Sequence, residues 1–574
     1  MSLSPQNQAP DITDALDGSL TSWYDNVNNC LKSSECVPGN YEYAQTPSYG
    51  NQCPINEGGS TKITVKCSRF EIIDIDNSYI DTIIKVPINI PIQTTATELQ
   101  PTAGPSTYYV GYKSSFDMID QYRVYSNGDL IYTQNNSNHE SFLNYISLTD
   151  SAKENSPCYA TCDKVRAQNP NVPGVYISAN NKSALTLNVD IPLKIPLNMF
   201  PLLQHLKYYP SFNGALDIEI YPSYKNLVWI NVTKGTDHNI EKFGETQAVY
   251  KKRIGKVVNA DALGGADKEV EVANTNMFGF TQINCSNNNR TYILDGGGGD
   301  DNEHVYESKL AIQKFTCNTS TLTKCHLYTA KYWIKMDVYN ALEMNYLQIP
   351  LLFPIQTVTA VNFTYPMNTQ QHFNLQNTAT LSHCDTVFIL FHRNNAERTV
   401  SYNPEIKAQL MINGKYYPRE PLSTRGDDVR FYNLTLDALN INNNPLMTVS
   451  KDVANSINAY THKIEVNTTD NAVYDVHQYV FGDHSNFVYA VPLSTDEDFM
   501  GGISSNGSTL QIEMVGDRDS LSSEINGYDW KENAVALFLE DKLLKIYSMK
   551  PPGKSQIQIT NATLDQIVAS GGQA

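Results

Sequence analysis

The dominant pattern along the chain is an alternation of apolar and polar residues with a period of two. In Thr82–Ile92 the even positions are apolar, and in Leu185–Leu197 the odd positions are apolar. Alternation of this length predicts half-buried antiparallel strands, with one face on a core and the other in water. A helix would need apolar residues three and four positions apart, which neither stretch supplies.

Prolines restrict the positions that these two strands can take in a sheet. Pro87 and Pro91 interrupt the first strand, and Pro192 and Pro196 interrupt the second. Each proline removes a backbone donor, so we expect both strands at sheet edges or at bulges. Proline at an edge also discourages the addition of strands from other chains.

Two Asn-Gly pairs predict β-hairpins. Asn127-Gly128 stands between two strand-like runs, and so does Asn413-Gly414. The pair favours a type I′ turn, in which both central residues need a positive φ. Helical spacing of apolar residues is confined to two short segments near the ends of the chain, 20–31 and 564–568.

The chain repeats three landmarks in one order. The run that starts at Asn213 recurs from Asn506, a Pro-Leu step follows Ile195 and Val491, and the Asn-Gly hairpin at 127 recurs at 413. The offsets are 293, 296 and 286 residues. Nearly equal offsets predict two similar β-domains in tandem.

The repeat sets the expected domain boundaries. His326–Tyr339 is interpreted as the closing strand of the first domain and Ala534–Tyr547 as that of the second. Two polar stretches are too long to be turns and are interpreted as insertions. The expected organisation is an N-terminal arm at 1–60, a first domain at 61–340 with an insertion at about 234–302, a second domain at 341–552 with an insertion at about 418–483, and a C-terminal tail at 553–574.

Composition and charge narrow the classes of function. The chain has 574 residues, of which only 18% are charged, and a net charge of −18. So acidic a protein repels phosphate backbones, which argues against wholesale coating of nucleic acid. No run of about 18 apolar residues predicts a membrane span, and the first residues lack the features of a secretory signal. Ten cysteines are too sparse for a disulfide scaffold and are expected to be reduced inside a cell.

No motif rises to a catalytic, cofactor-binding or metal-binding prediction. The histidines lack a third ligand at useful spacing, the glycine-rich loop lacks the ending of a P-loop, and the acidic pairs lie in polar loops. For the one basic cluster, both a solvated loop and a genome- or partner-facing patch remain open. The segments considered are His383–Asp385, His477 and His484, Asp295–Asp301, Gly501–Ser505, Asp427 and Asp428, Asp517 and Asp519, and the basic Lys251–Arg253.

The sequences of the predicted strands in the first half of the chain resemble those of a known family. The residues that carry the resemblance are Phe70–Asp74, Ser78–Asp81, Tyr109–Phe116, Ile119–Tyr122, Ser126–Gly128, Val189–Leu193, Tyr208–Pro210 and Ile218–Tyr224. They resemble the first jelly roll of double jelly-roll major capsid proteins, in particular those of virophages and polinton-like viruses within the eukaryotic double-stranded DNA virus lineage. The resemblance covers about 67–230 and is thinner over the second half.

The resemblance implies an all-β fold of two tandem eight-stranded jelly-roll β-sandwiches, with long loop insertions and short terminal helices. It also implies a non-catalytic major capsid protein that self-assembles as pseudo-hexagonal homotrimers tiling an icosahedral shell. Implied partners are copies of itself and penton, minor capsid or cement proteins, in a virion assembled inside the host cell, with no cofactor and no sequence-specific nucleic acid.

Two alternatives stay open at this point. A Tyr-rich sandwich also suits a carbohydrate-binding or adhesive protein, which would be a monomer with a ligand groove. An enzyme on a cupin-like jelly roll would need a clustered His/Glu metal triad.

Overall fold

The computed structural model shows two β-sandwiches that follow one another along the chain. No helix among the described residues is long and apolar enough to cross a membrane. The residues that the structure describes are 27, 41–46, 53–56, 58–90, 106–179, 185–204, 206–232, 257–258, 269–270, 281–282, 315–317, 319–345, 350–365, 372–377, 381–392, 406–412, 415–423, 428–439, 460–466, 473–479, 488–494, 502–504, 510–516 and 532–561.

The strands of the first half lie between residues 41 and 333. They are β1 (Tyr41–Thr46), β2 (Ile55–Asn56), β3 (Thr61–Val65), β4 (Glu71–Ile90), β5 (Ser106–Gly111), β6 (Ile119–Ser126), β7 (Asp129–Asn135), β8 (Gly174–Ala179), β9 (Leu185–Pro196), β10 (Tyr208–Pro210), β11 (Leu216–Pro222), β12 (Val228–Asn231), β13 (Val257–Val258), β14 (Glu269–Val270), β15 (Thr281–Gln282) and β16 (Thr321–Trp333).

The strands of the second half lie between residues 351 and 561. They are β17 (Leu351–Tyr365), β18 (His372–Asn377), β19 (Cys384–His392), β20 (Ile406–Ile412), β21 (Lys415–Ser423), β22 (Tyr460–Val466), β23 (Val473–Tyr479), β24 (Tyr489–Pro492), β25 (Leu510–Gly516), β26 (Glu532–Ile546) and β27 (Ile557–Asn561).

Helices are short and lie in the connections. They are α1 (Asn138–Ser147), α2 (Asp150–Asn155), α3 (Cys162–Arg166), α4 (Pro201–Gln204), α5 (Met336–Asn345) and α6 (Asp428–Ala438), with 3-10 turns at Ser115–Met118, Leu197–Met199 and Ser211–Asn213.

The second sandwich has the strand order of a jelly roll. One sheet runs β17-β26-β19-β24, and the other runs β18-β25-β20-β21. When β17, β18, β19, β20, β21, β24, β25 and β26 are lettered B to I in chain order, the sheets read B-I-D-G and C-H-E-F. Two four-stranded sheets in this order define the eight-stranded jelly roll.

The first sandwich repeats this order. Its sheets run β1-β16-β4-β10 and β3-β11-β6-β7, which again read B-I-D-G and C-H-E-F. The repeated run of the sequence falls on strand H both times, as β11 and as β25. The prediction of two tandem jelly rolls is therefore confirmed.

The two ends of the first sandwich differ in the length of their connections. At one end, called here the base, β6 and β7 are joined by Asn127-Gly128, and β10 and β11 by residues 211–215. At the other end the connections are long, and parts of three of them form the additional sheet β15-β12-β5-β8. The insertions expected at 234–302 and 418–483 fall in such connections, although β21 continues as far as Ser423.

The apolar alternation found in the sequence points into one continuous core. Ile84, Val86 and Ile88 of β4 are fully buried, and so are Ile191 and Ile195 of β9. Side chains of both sandwiches belong to the same buried cluster. Each such side chain contributes about 1.5–3 kcal/mol of hydrophobic free energy when it is fully buried.

Strand β9 confirms the expectation from its prolines. The backbone N–H and carbonyl groups of Leu193 face β4. The carbonyl oxygen of Lys194 points away from β4, where it accepts a hydrogen bond from Ser115 Oγ at 2.6 Å. Pro192 and Pro196 share the direction of Lys194, so their missing N–H groups face the free edge. An edge is where a sheet tolerates proline.

The same expectation is wrong for β4, which lies inside its sheet. β16 pairs with Glu71–Lys85 on one side, and β9 pairs with Tyr79–Ile90 on the other. Pro87 is tolerated because it lies beyond the paired part of β16, just before Asn89 exchanges two hydrogen bonds with Thr316. Pro91 lies outside the described residues.

Other expectations about local structure have mixed outcomes. Asn127 and Gly128 have φ of 50° and 92°, as a type I′ turn requires, and β20 and β21 pair on either side of Asn413-Gly414. The closing strand of the first sandwich ends at Trp333 rather than Tyr339, because the chain turns into α5. The terminal helices expected at 20–31 and 564–568 lie outside the described residues, except that Val27 is helical and buried.

Two strands fall in ranges expected to be an arm and a tail. β1, within 1–60, pairs along β16, and β27, within 553–574, pairs with residues 542–546 of β26. Alternation of apolar residues is weak in both, so the sequence pattern did not mark them. The exact domain boundaries stay a proposal.

Candidate functional site

Within the part of the chain that the structure describes, the groups considered for catalysis or metal binding are not brought together into a site. Among the described residues, no group of three or more His, Cys, Asp or Glu side chains is placed to hold a metal ion. His477 lies in β23, and Asp428 begins α6. Asp295–Asp301, Lys251–Arg253, His484, Asp517 and Asp519 lie outside the described residues.

His383–Asp385 is the one considered group that meets further acidic side chains. The pairing of β19 with β26 shifts by one residue between Cys384 and Thr386, so Asp385 is the extra residue of a bulge. Gln356 Nε2 lies 3.3 Å from Asp385 Oδ2 and 3.4 Å from Asp541 Oδ1, which brings the two carboxyl groups together. Burial and the neighbouring Asp541 raise the pKa of Asp385 to about 8, and this favours one shared proton at neutral pH.

The backbone packs closely against this acidic pair at Gly502. A Cβ placed on Gly502 would lie 2.4 Å from the carbonyl carbon of Cys384 and 2.6 Å from Asp385 Oδ1. Gly502 is therefore needed because its backbone approaches β19 closely. We interpret the pair as part of the sheet rather than as an acid–base catalyst.

Polar and aromatic contacts hold the chain together where the two sandwiches meet, a region called here the joint. Helix α5 leads from the end of β16 to the start of β17 at the base. Its Tyr339 is buried and packs edge-on against Phe70 and Phe212, with ring centroids 5.5 and 5.9 Å away. The Tyr339 hydroxyl also forms a hydrogen bond with Ser211. The linker is thereby fixed to the first sandwich before the second begins.

Gln556 joins the base of the second sandwich to the base of the first. It is 5% exposed and lies in the hairpin between β26 and β27. Its Nε2 donates to the carbonyl oxygen of Phe212 at 2.7 Å and to that of Tyr547 at 2.9 Å. Its Oε1 accepts from Asn127 Nδ2 at 2.7 Å. One amide therefore connects two turns of the first sandwich with the last hairpin of the second.

Asn127 and Gly214 prepare the place for this amide. Asn127 Oδ1 accepts from the backbone N–H of Ala215 at 3.1 Å, which orients the amide of Asn127 toward Gln556. Gly214 has φ of 81°, and a Cβ on it would lie 2.6 Å from Asn127 Nδ2 and 2.8 Å from Gln556 Oε1. Glycine is needed here both for its backbone conformation and for space.

An ion pair lies beside the amide contact. Lys550 Nζ is 2.5 Å from Asp129 Oδ2, and the two side chains are 47% and 43% exposed. The hydrogen bond from Lys550 lowers the pKa of Asp129. Because both groups are in contact with water, the pair contributes less than the buried amide.

The joint contains the residues that sequence reasoning missed. Asn127 was found only as a turn residue, and nothing in the sequence marks Gln556 or Tyr339 as interface residues. Their role depends on contacts between positions up to 429 residues apart. A single sequence carries no signal for such pairs.

The matches of this chain to known proteins are all solved structures. No family model matches the chain, and no curated protein matches it. Among solved structures, the mavirus major capsid protein aligns with 93% of this chain and 92% of its own, at 10% identity and a TM-score of 0.46. A chain of the Sputnik virophage structure aligns over 92% and 90% at 8% identity and 0.41, and the Faustovirus major capsid protein over 93% and 97% at 8% identity and 0.34. These structures belong to the class of protein that the sequence resembles, and the fold assignment itself rests on the strand order.

Proposed function

We propose that the protein is a viral major capsid protein that acts by self-assembly. Its two jelly rolls lie side by side with their bases at the same end. Three copies would place six similar sandwiches around one axis, which gives a trimer with a nearly hexagonal outline. Such trimers can tile an icosahedral shell.

The observation that carries the proposal is the jelly-roll strand order found twice in one chain, with the two units fixed to each other. A binding protein needs one sandwich and a groove. Two equivalent sandwiches with a rigid joint suit a building block, because a lattice requires the same geometry in every copy. The buried contacts of Gln556 and Tyr339 supply that rigidity.

The surface of the chain supports the same proposal. Only 18% of residues are charged, so contacts between copies would bury mostly uncharged polar groups. The edge strand β9 carries Pro192 and Pro196 toward its free side, which limits uncontrolled strand addition at high local concentration. Three copies would carry a charge of −54, which disfavours tight coating of DNA.

The partners and location follow from this role as part of the proposal. The first partner is a second copy of the chain, followed by penton and minor capsid or cement proteins in the lattice. The site of action is the virion, after assembly in the host cell. The polinton-like or virophage-like affiliation also belongs to the proposal.

Light scattering of the purified full-length protein tests the proposal. A trimer would have a mass of about 193 kDa, three times the 64.2 kDa chain. A mass of one chain at every concentration and salt tested would contradict self-assembly. Under that outcome a carbohydrate array would test the adhesive alternative.

A further inference from the structure

Glu140 is a buried acidic side chain to which the capsid proposal gives no role. It lies near the start of α1 and is 2% exposed. Tyr122 of β6 donates a hydrogen bond to Glu140 Oε2 at 2.8 Å, and Tyr132 of β7 lies 3.0 Å from Oε1. Burial raises the pKa of Glu140 to about 7, although both tyrosines oppose this shift.

The number of protons in this cluster favours a neutral Glu140. The hydroxyl of Tyr132 lies within hydrogen-bond distance of two acceptors, Glu140 Oε1 at 3.0 Å and Gln134 Oε1 at 3.1 Å. A hydroxyl has one proton to donate. If Glu140 is protonated, it donates to Tyr132, which then donates to Gln134, so both Glu140 and Gln134 keep a partner. If Glu140 is ionised, it takes the only proton and Gln134 Oε1 loses its donor.

The cluster lies at the joint. Helix α1 packs against β17 of the second sandwich, and Tyr132 lies close enough to Glu540 of β26 for that carboxylate to raise the pKa of Tyr132. Glu540 is 3% exposed and accepts hydrogen bonds from Thr359 Oγ1 at 2.7 Å and from the backbone N–H of Ser382 at 2.9 Å. Tyr132 thus stands between one acidic side chain from each sandwich.

The charges around Glu140 offer it little compensation. The residues Leu351–Asn362 of β17 carry no titratable side chain, and the neighbouring 3-10 turn contributes another acid. On the side of the second sandwich, the cation Lys542 pairs with Glu540, with its Nζ 3.4 Å from Glu540 Oε2. Among the described residues, the titratable groups of the cluster and of the elements next to it are Tyr122 of β6, Tyr132 of β7, Glu540 and Lys542 of β26, Asp117 of the 3-10 turn and His139 of α1 itself.

We propose that Glu140 is a pH-sensitive latch of the joint, closed when its carboxyl group is neutral and weakened when the carboxyl group loses its proton. Loss of the proton places a negative charge in the buried cluster, where Tyr132 already lies near Glu540, and removes the donor of Gln134. The two sandwiches then hold each other less firmly. The effect on the joint stands by itself, whereas its effect on a shell rests on the proposed function.

The sign of the pH dependence follows from the raised pKa. A carboxyl group whose pKa is raised by burial stabilises the buried arrangement most below its ordinary pKa of about 4.5, and this stabilisation is lost as the pH rises through about 7. For one such proton, the equilibrium constant of an opening that exposes Glu140 to water increases by about 20-fold between pH 5.5 and 7.5.

Amide hydrogen exchange of the full-length protein tests the latch. Protection of β6 and β7, corrected for intrinsic rates, should fall by about 20-fold from pH 5.5 to 7.5 in the wild type. In Glu140→Gln the amide keeps one donor for Tyr132 and one acceptor for Tyr122, so protection should change less than twofold. Glu154→Gln, in α2 at the surface, is the matched control and should behave as the wild type.

Two outcomes would overturn the proposal. One is an equal pH profile in wild type and Glu140→Gln, and the other is low protection of Glu140→Gln already at pH 5.5. If Glu140→Gln does not fold, the pH profile of amide protection in the wild type decides. A profile for β6 and β7 that is as flat as that for β4 and β9 contradicts the latch. Light scattering at each pH separates the two proposals, since a monomer at every pH rejects the capsid function without touching the exchange result.

Discussion

Replacing Gln556 by alanine should weaken the joint more than any other single truncation at the base. The substitution leaves the carbonyl oxygen of Phe212 and the Nδ2 of Asn127 without their partner. A buried polar group that loses its partner costs about 1–3 kcal/mol. Two such groups give about 2–4 kcal/mol, since water can partly reach the turn at Asn127.

Hydrogen exchange at the turns of the first sandwich is the direct assay. The backbone N–H of Asn127 donates a hydrogen bond to the carbonyl oxygen of Ala215, so its exchange rate reports opening of the turns beneath Gln556. A loss of 2–4 kcal/mol corresponds to about 30- to 1,000-fold faster exchange, because 1.4 kcal/mol is a factor of ten. Strands far from the joint should keep their rates.

Gln558→Ala is the matched control. Gln558 lies two residues further along and donates only to Ser555 of its own hairpin, at 2.8 Å. Its removal should change exchange at Asn127 by less than threefold. If Gln556→Ala and Gln558→Ala gave the same small change, the amide would not hold the sandwiches together, and the reasoning from buried hydrogen bonds would fail.

Three further predictions follow from the described contacts. Gly214→Ala should lower thermal stability clearly more than Gly128→Ala, because both have a positive φ but only Gly214 would also clash; equal melting temperatures would contradict this. The wild type should lose about 1–2 kcal/mol of folding stability between pH 4 and 8, since Asp385, with its pKa raised to about 8, stabilises the fold only while its proton is bound. Asp385→Asn should not show this loss, and denaturation curves that shift equally with pH in both proteins would refute the prediction. Cys67, whose pKa burial raises to about 12, should resist alkylation at pH 8 in the native protein while the half-buried Cys53 reacts, as peptide mass spectrometry would show.

The sequence predicts those parts of the fold that depend on local chemistry. The alternation in β4 and β9 reflects burial of one face, and the Asn127-Gly128 turn reflects the positive φ that its position requires. The Asn-Gly turn, the Pro-Leu step and the run that starts at Asn213 each recur at a similar spacing, which is why two tandem domains could be predicted.

The parts that sequence reasoning missed depend on contacts between distant segments. A proline such as Pro87 is tolerated inside a sheet when the neighbouring strand stops short, and only the partner strand reveals that. Met336–Tyr339 reads as a continuation of a strand because its apolar residues alternate, yet packing of Tyr339 against Phe70 and Phe212 favours a helix.

The candidate joint was least accessible to sequence reasoning. Gln556 and Glu140 are single polar residues within polar stretches of the sequence, and no motif or periodic pattern marks them. Their importance arises from burial next to specific partners, which lie in the other sandwich for Gln556 and on β6 and β7 for Glu140. Such pairs become visible only when the two sandwiches are placed together.

Imaging of the purified particle by single-particle electron microscopy tests the central claim most directly. The account predicts a three-fold particle with six similar lobes, in which each chain supplies two adjacent lobes with their short-turn ends on one side. A single-chain particle with two lobes, or an assembly without three-fold symmetry, would contradict it.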